Sequence, residues 1–402
     1  MKFNFDRRWI NSESIYLIAL TIYVSAACFQ ATYLYNVLAA AGSPALTVLQ
    51  LLRYAAYGLC ALKIILSYTG KPWEFFLVAA LFGISAMAAV FGTDKALLFN
   101  MLFIYGAKKV DFRKILWVFF LAQLATFLFC LLCAFGFGLG SESVNSSGRT
   151  RFYLGFGWVN RPGYFALAML MEYVCLRKGK FTFPEYAAFL AVFVLIYTKT
   201  VTRYALVLSV LIATVFLVIN TFRETRPGAE NPRFRVGQWE FSLFQILLIV
   251  FAVGSIALHN SFNWNSDLMR SLNSMLTDRL NLGKQAISRY GFHLFGSKTV
   301  WVGSSTMIWG LGESNKYFYV DCGFLQFALD YGLVALTMIV LLYERGLHRA
   351  TALKEYYIMD CILLIGFVAV FEPRLVDFTF NPFILYAPEA VSTVRRRVLK
   401  GR

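Results

Sequence analysis

The chain has 402 residues, 59% apolar and 15% charged, where soluble domains run at about 45–50% apolar and about 25% charged. So little polar surface cannot cover two or three soluble domains, whereas about twelve spans of about 20 residues each would use up the apolar surplus. The formal charge of +16 does not point to nucleic acid, because the basic residues are scattered through short loops between apolar runs, the pattern of topology signals.

Lys2, Arg7 and Arg8 lead into a first apolar run too long for the core of a cleavable signal. Apolar runs lie at 14–35, 44–67, 74–91, 95–107, 115–137, 160–176, 183–198, 204–222, 241–259, 321–343, 357–371 and 375–394. If each crosses the bilayer, 24 lysines and arginines fall on the side of the N-terminus and 13 on the other, with Arg53 inside the second span. That split obeys the positive-inside bias. The sequence therefore predicts an all-α polytopic membrane protein of twelve spans, one membrane domain over 1–402, with both termini cytoplasmic. Arg53 is costly at its depth and should face a cavity or a partner. The stretch 223–240, with Pro227, Gly228 and Pro232, reads as a flexible basic cytoplasmic linker near anionic lipid. The stretch 260–320 forms a long outer loop, with a predicted amphipathic helix over 267–290 followed by Gly291, Gly296, Gly303, Gly310 and Gly312. Long ordered loops are uncommon unless functional, so a site is expected here.

The reactive residue types narrow the chemistry. Six of the seven cysteines lie within apolar runs, and Cys130-x-x-Cys133 has no second ligand pair. They read as small apolar helix residues rather than a metal or redox site. His259, His293 and His348 are far apart in sequence. No phosphate-loop lysine motif, dinucleotide glycine fingerprint or GxSxG elbow occurs, so neither a nucleotide-driven nor a metal-hydrolase reading has support.

Arginine in outer loops opposes the insertion bias, yet Arg149, Arg151, Arg161, Arg203, Arg270, Arg279 and Arg289 all fall there. Guanidinium forks suit phosphate oxygens and stay charged at any relevant pH. Several converging at the outer face would bind a pyrophosphate or another polyanion; the blander alternative is snorkelling to lipid headgroups. On a helix, Arg279 and Gly283 share a face. The carboxylates supply the second element. Asp321, two residues after Tyr319, starts the tenth span, where it serves either as a general base for a hydroxyl or as a brace for an arginine. Glu372, Arg374 and Asp377 form a polar knot between the last two runs and read first as structural pairing. The neighbouring arginines should hold Asp321 ionised.

The order of these features resembles bacterial Wzy-type polysaccharide polymerases, within the wider O-antigen ligase and polymerase group. The resemblance rests on Gly148-Arg149-Thr150-Arg151, Leu154-Gly155-Phe156, Asn160 and Thr202-Arg203-Tyr204, then RLNLGKQAISRYGFHLFG at 279–296, YVDCGFLQFALDYGL at 319–333 and EPRLVDFTFNPF at 372–383. It implies a metal-independent, inverting GT-C-type glycosyltransferase without cofactor in the bacterial cytoplasmic membrane. Its substrates would be oligosaccharides linked to undecaprenyl pyrophosphate, and its partners a flippase and a chain-length regulator. Arg279 and Arg203 would bind pyrophosphate, with Arg289, Arg149 and Arg151 behind them, and Tyr319 would stack on a sugar. Asp321 is the first choice of base, before His293 and Asp377. A ligase that passes the glycan to another acceptor, and a flippase or transporter of lipid-linked sugars, are the alternatives.

Overall fold

A computed structural model describes residues 11–68, 70–146, 149–224, 238–310 and 316–388. Among them, five helices are long and apolar enough to cross a membrane. These are α1 (Ser12–Phe29), α3 (Ala45–Ser67), α4 (Pro72–Phe91), α6 (Phe112–Gly136) and the part Leu243–Asn260 of α10 (Gln238–Asn260). Shorter apolar helices are α5 (Ala96–Gly106), Ala205–Thr214 of α9 (Arg203–Glu224) and α16 (Tyr356–Phe371). On α10, Leu243, Ile246, Val250 and Val253 are exposed at helical spacing, the stripe expected of a face turned to lipid. The chain is a mostly helical, multi-pass membrane protein.

Several predicted spans are interrupted. The first apolar run is not one helix: α1 stops at Phe29, and the Thr32 hydroxyl accepts from the Tyr35 N–H to start α2 (Tyr33–Ala40). The amphipathic helix expected over 267–290 divides into α11 (Asp267–Met275) and α12 (Arg279–Tyr290), because Thr277 and Asp278 adopt left-handed φ of 54° and 67°. The amide of Asn273 donates to Asp278 at 2.8 Å and holds that corner. A short helix, α13 (Ser304–Ile308), follows, and the run 321–343 divides into α14 (Gly323–Tyr331) and α15 (Leu333–Leu353) at Gly332, whose φ is 91°. There the Leu333 and Val334 N–H groups turn to the carbonyls of His293 and Leu294, at 3.0 and 3.1 Å. The long loop thus docks on the break.

The last predicted span, 375–394, shows no α-helix in its described part, only a 3-10 turn over Phe383–Tyr386. Its backbone is instead satisfied by side chains. Tyr343 and Asn100 donate to the carbonyls of Leu375 and Val376 at 2.5 and 3.1 Å, and Gln123 donates to Thr379 at 3.1 Å. Beyond the turn, Arg349 donates to the carbonyl of Tyr386 at 2.5 Å, and Arg345 to that of Ala387 at 3.0 Å. The Tyr386 hydroxyl donates to Glu355, which caps the start of α16. The chain therefore leaves the end of α16 at Glu372 and returns to its beginning by Tyr386, buried and without a helix. Non-helical backbone at membrane depth is tolerated only when protein supplies its hydrogen bonds.

The helices gather into two compact units. The first comprises residues up to Lys63, Val110–Arg235 and Phe378–Pro382. In it α6 packs on α1 and on α7 (Arg161–Leu176), which is buried on nearly every side, and Phe165 meets Phe156 and Phe380 at 5.1 Å each. α8 (Phe183–Thr200) packs on α9, and an antiparallel hairpin, β1 (Ser143–Ser146) with β2 (Arg149–Phe152), adds strand to the expected all-α fold. The second unit comprises Ile64–Lys109, Val236–Asp377 and the chain from Phe383. There α10 lies against α12, α14, α15 and α16. The linker expected over 223–240 falls mostly outside the described residues; α9 ends at Glu224 and α10 starts at Gln238.

Candidate functional site

In the second unit two glycines bring the polar residues together. A Cβ at Gly283 would lie 2.1 Å from His259 Cδ2, so only glycine lets α12 press this closely on α10. Arg279, one turn earlier on the same face, is thereby carried to the end of α16. A Cβ at Gly323 would lie 2.7 Å from the carbonyl of Glu372, so the start of α14 rests on that same helix end. Asp321 precedes Gly323 by two residues and arrives beside Glu372. Neither glycine stood out from the sequence as a spacer, although Gly283 was placed on the face of Arg279.

Arg279 is engaged on all sides of its guanidinium. Nη1 donates to the carbonyl of Phe371, the last residue of α16, at 2.6 Å; Nε lies 3.1 Å from Asp321 Oδ2, and Nη2 3.6 Å from Glu372 Oε1. A cation at this position also meets the negative end of the helix dipole. Beside it Arg374 pairs with Asp377 at 2.6 Å. Two guanidinium groups thus face three carboxylates, a nominal charge of −1 with all ionised. Burial pushes the Asp321 carboxyl above its ordinary range, and Arg279 and Arg374 pull it back only in part. Burial and the two arginines thus act in opposite directions on this carboxyl, the arginines favouring its ionised form. Tyr319 adjoins the cluster: burial raises its phenol, Gln326 hydrogen-bonds it, and the charges of Arg374, Asp321 and Glu372 reach it. Sequence reasoning brought Arg279, Tyr319, Asp321, Glu372, Arg374 and Asp377 forward, and the structure joins them in one cluster. It missed Gln326, an uncharged residue inside an apolar run.

The remaining predicted residues have other partners. Arg289 is exposed and sits over the rings of Tyr290 and Phe318, each 5.3 Å from its Cζ. His293 is exposed, with Nε2 2.9 Å from the carbonyl of Tyr290, and it makes no contact with the cluster. In the first unit Arg151 donates from Nε to the carbonyl of Thr200, the last residue of α8, at 2.6 Å, and from Nη2 to Asn160 Oδ1. Arg151 therefore closes a helix end as Arg279 does. Arg203, the first residue of α9, has an exposed side chain. The backbone of Arg149 pairs in the hairpin, opposite Ser146, and its side chain lies outside the described positions.

A cluster of this kind can hold an anion by exchange. The 3.6 Å contact of Arg279 with Glu372 is longer than those with Phe371 and Asp321, and it is the one that an incoming phosphate oxygen would displace. A partly desolvated carboxylate 3.1 Å from the same guanidinium can accept a proton from a hydroxyl. Comparison with protein-family models, curated proteins and solved structures returns no match.

Proposed function

We propose that the protein is a glycan polymerase of the bacterial cytoplasmic membrane, moving a growing glycan from undecaprenyl pyrophosphate onto a lipid-linked repeat unit at the outer face. The observation that carries this reading is Arg279 held between Asp321 and Glu372 at the end of an apolar helix. A guanidinium fork beside a carboxylate is the pair that binding a phosphate and accepting a proton would use. In the proposed reaction the acceptor hydroxyl gives its proton to the Asp321 carboxylate while its oxygen attacks the anomeric carbon. The bond from that carbon to the pyrophosphate oxygen breaks, and the pyrophosphate leaves with the electron pair. Arg279 stabilises the charge that develops on it, and the displacement inverts the anomeric carbon. Arg374 keeps Asp377 neutralised, which leaves Asp377 a brace rather than a base. Arg203 and Arg289, both exposed, serve as anion-binding groups of their own units.

The reading keeps twelve crossings with both termini cytoplasmic. The last crossing is the buried non-helical return from Glu372 to Tyr386, and the positive-inside bias supports the orientation. Deleting the gene tests the function. Single repeat units should accumulate on the lipid carrier, and long polymer should be lost. A deletion strain that keeps normal polymer would refute the reading.

A further inference from the structure

A second basic group, in the first unit, has no counter-charge among the described residues. Arg53 is the ninth residue of α3, inside an apolar segment long enough to span a membrane. Its guanidinium carbon stands 5.5 Å from the centre of the Tyr23 ring on α1, and the hydroxyls of Tyr23 and Tyr57 accept hydrogen bonds from it. Among the described residues no carboxylate acts on it, and its Nε is buried without a hydrogen-bond partner. Tyrosines are neutral, so they orient the guanidinium and leave its charge uncompensated. A lone cation in hydrocarbon costs several kcal/mol unless it reaches water or an anion.

The geometry shows where an anion would come from. Arg53 lies about 12 Å along the axis from the start of α3. Helix side chains lean toward the N-terminal end, and a stretched arginine recovers roughly half of that depth by snorkelling. Leu51, Leu52 and Tyr54 beside it are exposed, so the approach is from the lipid side. Tyr54 and Tyr57 stand edge to face at 6.2 Å and flank that approach.

We propose that Arg53, with the hydroxyls of Tyr23 and Tyr57, binds the phosphate group of a membrane lipid that enters beside α3. Guanidinium donors take two phosphate oxygens, and the tyrosine rings cover the glycerol end of the lipid. The proposal concerns binding alone and stands whether or not the protein polymerises glycans.

Native mass spectrometry of the delipidated full chain, titrated with dioleoyl phosphatidic acid and separately with dioleoyl phosphatidylcholine, tests it. Wild type should retain one phosphatidic acid at concentrations where phosphatidylcholine is lost. Arg53→Gln should weaken that retention about tenfold or more, Arg53→Lys should weaken it less, and Tyr57→Phe should weaken it a few-fold with the chain still folded. Equal retention by Arg53→Lys, Tyr57→Phe and wild type, or by Arg53→Gln with an unchanged melting temperature, would overturn the assignment. Millimolar inorganic phosphate should not displace the lipid. Displacement would make the site one for soluble phosphate and overturn the lipid source.

Discussion

Gly283→Ala probes how the cluster is built without touching any of its charges. The new methyl would sit 2.1 Å from Cδ2 and 2.9 Å from Cγ of His259, and 3.1 Å from Leu325 Cδ2. Reaching the 3.4 Å of ordinary contact with Cδ2 takes a displacement of about 1.3 Å. The imidazole cannot swing away cheaply, because its Nδ1 is tied to the carbonyl of Ser255 at 2.7 Å and the residue is buried. Most of the shift therefore passes to α12 and separates Arg279 from Asp321, now 3.1 Å apart. Overpacking costs about 1–3 kcal/mol, offset by the roughly 1 kcal/mol that alanine gains over glycine in a helix. The melting temperature should move little. Turnover should fall on the order of 10- to 100-fold, the usual effect of a 1 Å misplacement at a reacting centre. The assay is elongation of purified lipid-linked repeat units alongside thermal melting. Adding His259→Ala removes the ring and should restore much of the rate. Wild-type turnover by Gly283→Ala alone would refute the role given to this packing.

Asp321→Asn should retain donor binding and lose about 10²- to 10⁴-fold in turnover if Asp321 is the base; weakened donor binding and melting instead would make it a brace for Arg279. Because burial raises the Asp321 carboxyl, and the base must be ionised, wild-type turnover should fall with acidification from a higher pH than an ordinary carboxylate allows. An acid limb at the ordinary carboxylate value would contradict this. Arg279→Ala should lose roughly 30- to 1,000-fold, about 2–4 kcal/mol of transition-state stabilisation, with Arg279→Lys in between; near-normal polymer from the alanine variant at normal expression would remove Arg279 from the chemistry. A cysteine at Ser304 should react with an impermeant thiol reagent from outside intact cells, and labelling only from the cytoplasmic side would overturn the orientation.

Composition and charge spacing were enough to read a multi-pass helical protein, since bilayer thickness and backbone hydrogen bonding leave few other solutions. The breaks within apolar runs were not legible. Along 321–343 the apolar run carries only Asp330 and Gly332 as hints of a break, and the docking of the loop at His293 and Leu294 turns them into a kink. The described part of the last run, 375–388, looked like a helical span for the same reason: its apolar residues are packed within protein and form no lipid-facing α-helix. Arg279, Asp321 and Glu372 stood out because charges are scarce near apolar ends. That Arg279 binds two carboxylates and a helix carbonyl at once is set by Gly283 and Gly323, whose role appears only when helices pack. Arg151, like Arg279, already donates within the fold, to Thr200 and Asn160, and neither set of partners is legible from sequence spacing.

The proposed activity is the lengthening of glycans on a lipid carrier. Its most direct test is to incubate the purified, membrane-reconstituted protein with lipid-linked repeat units alone and to resolve the products by size. The account predicts a ladder growing by whole repeat units, with one lipid pyrophosphate released for each bond formed. Repeat units that stay monomeric while the protein carries them across the bilayer, or that move only when a different acceptor is added, would contradict it.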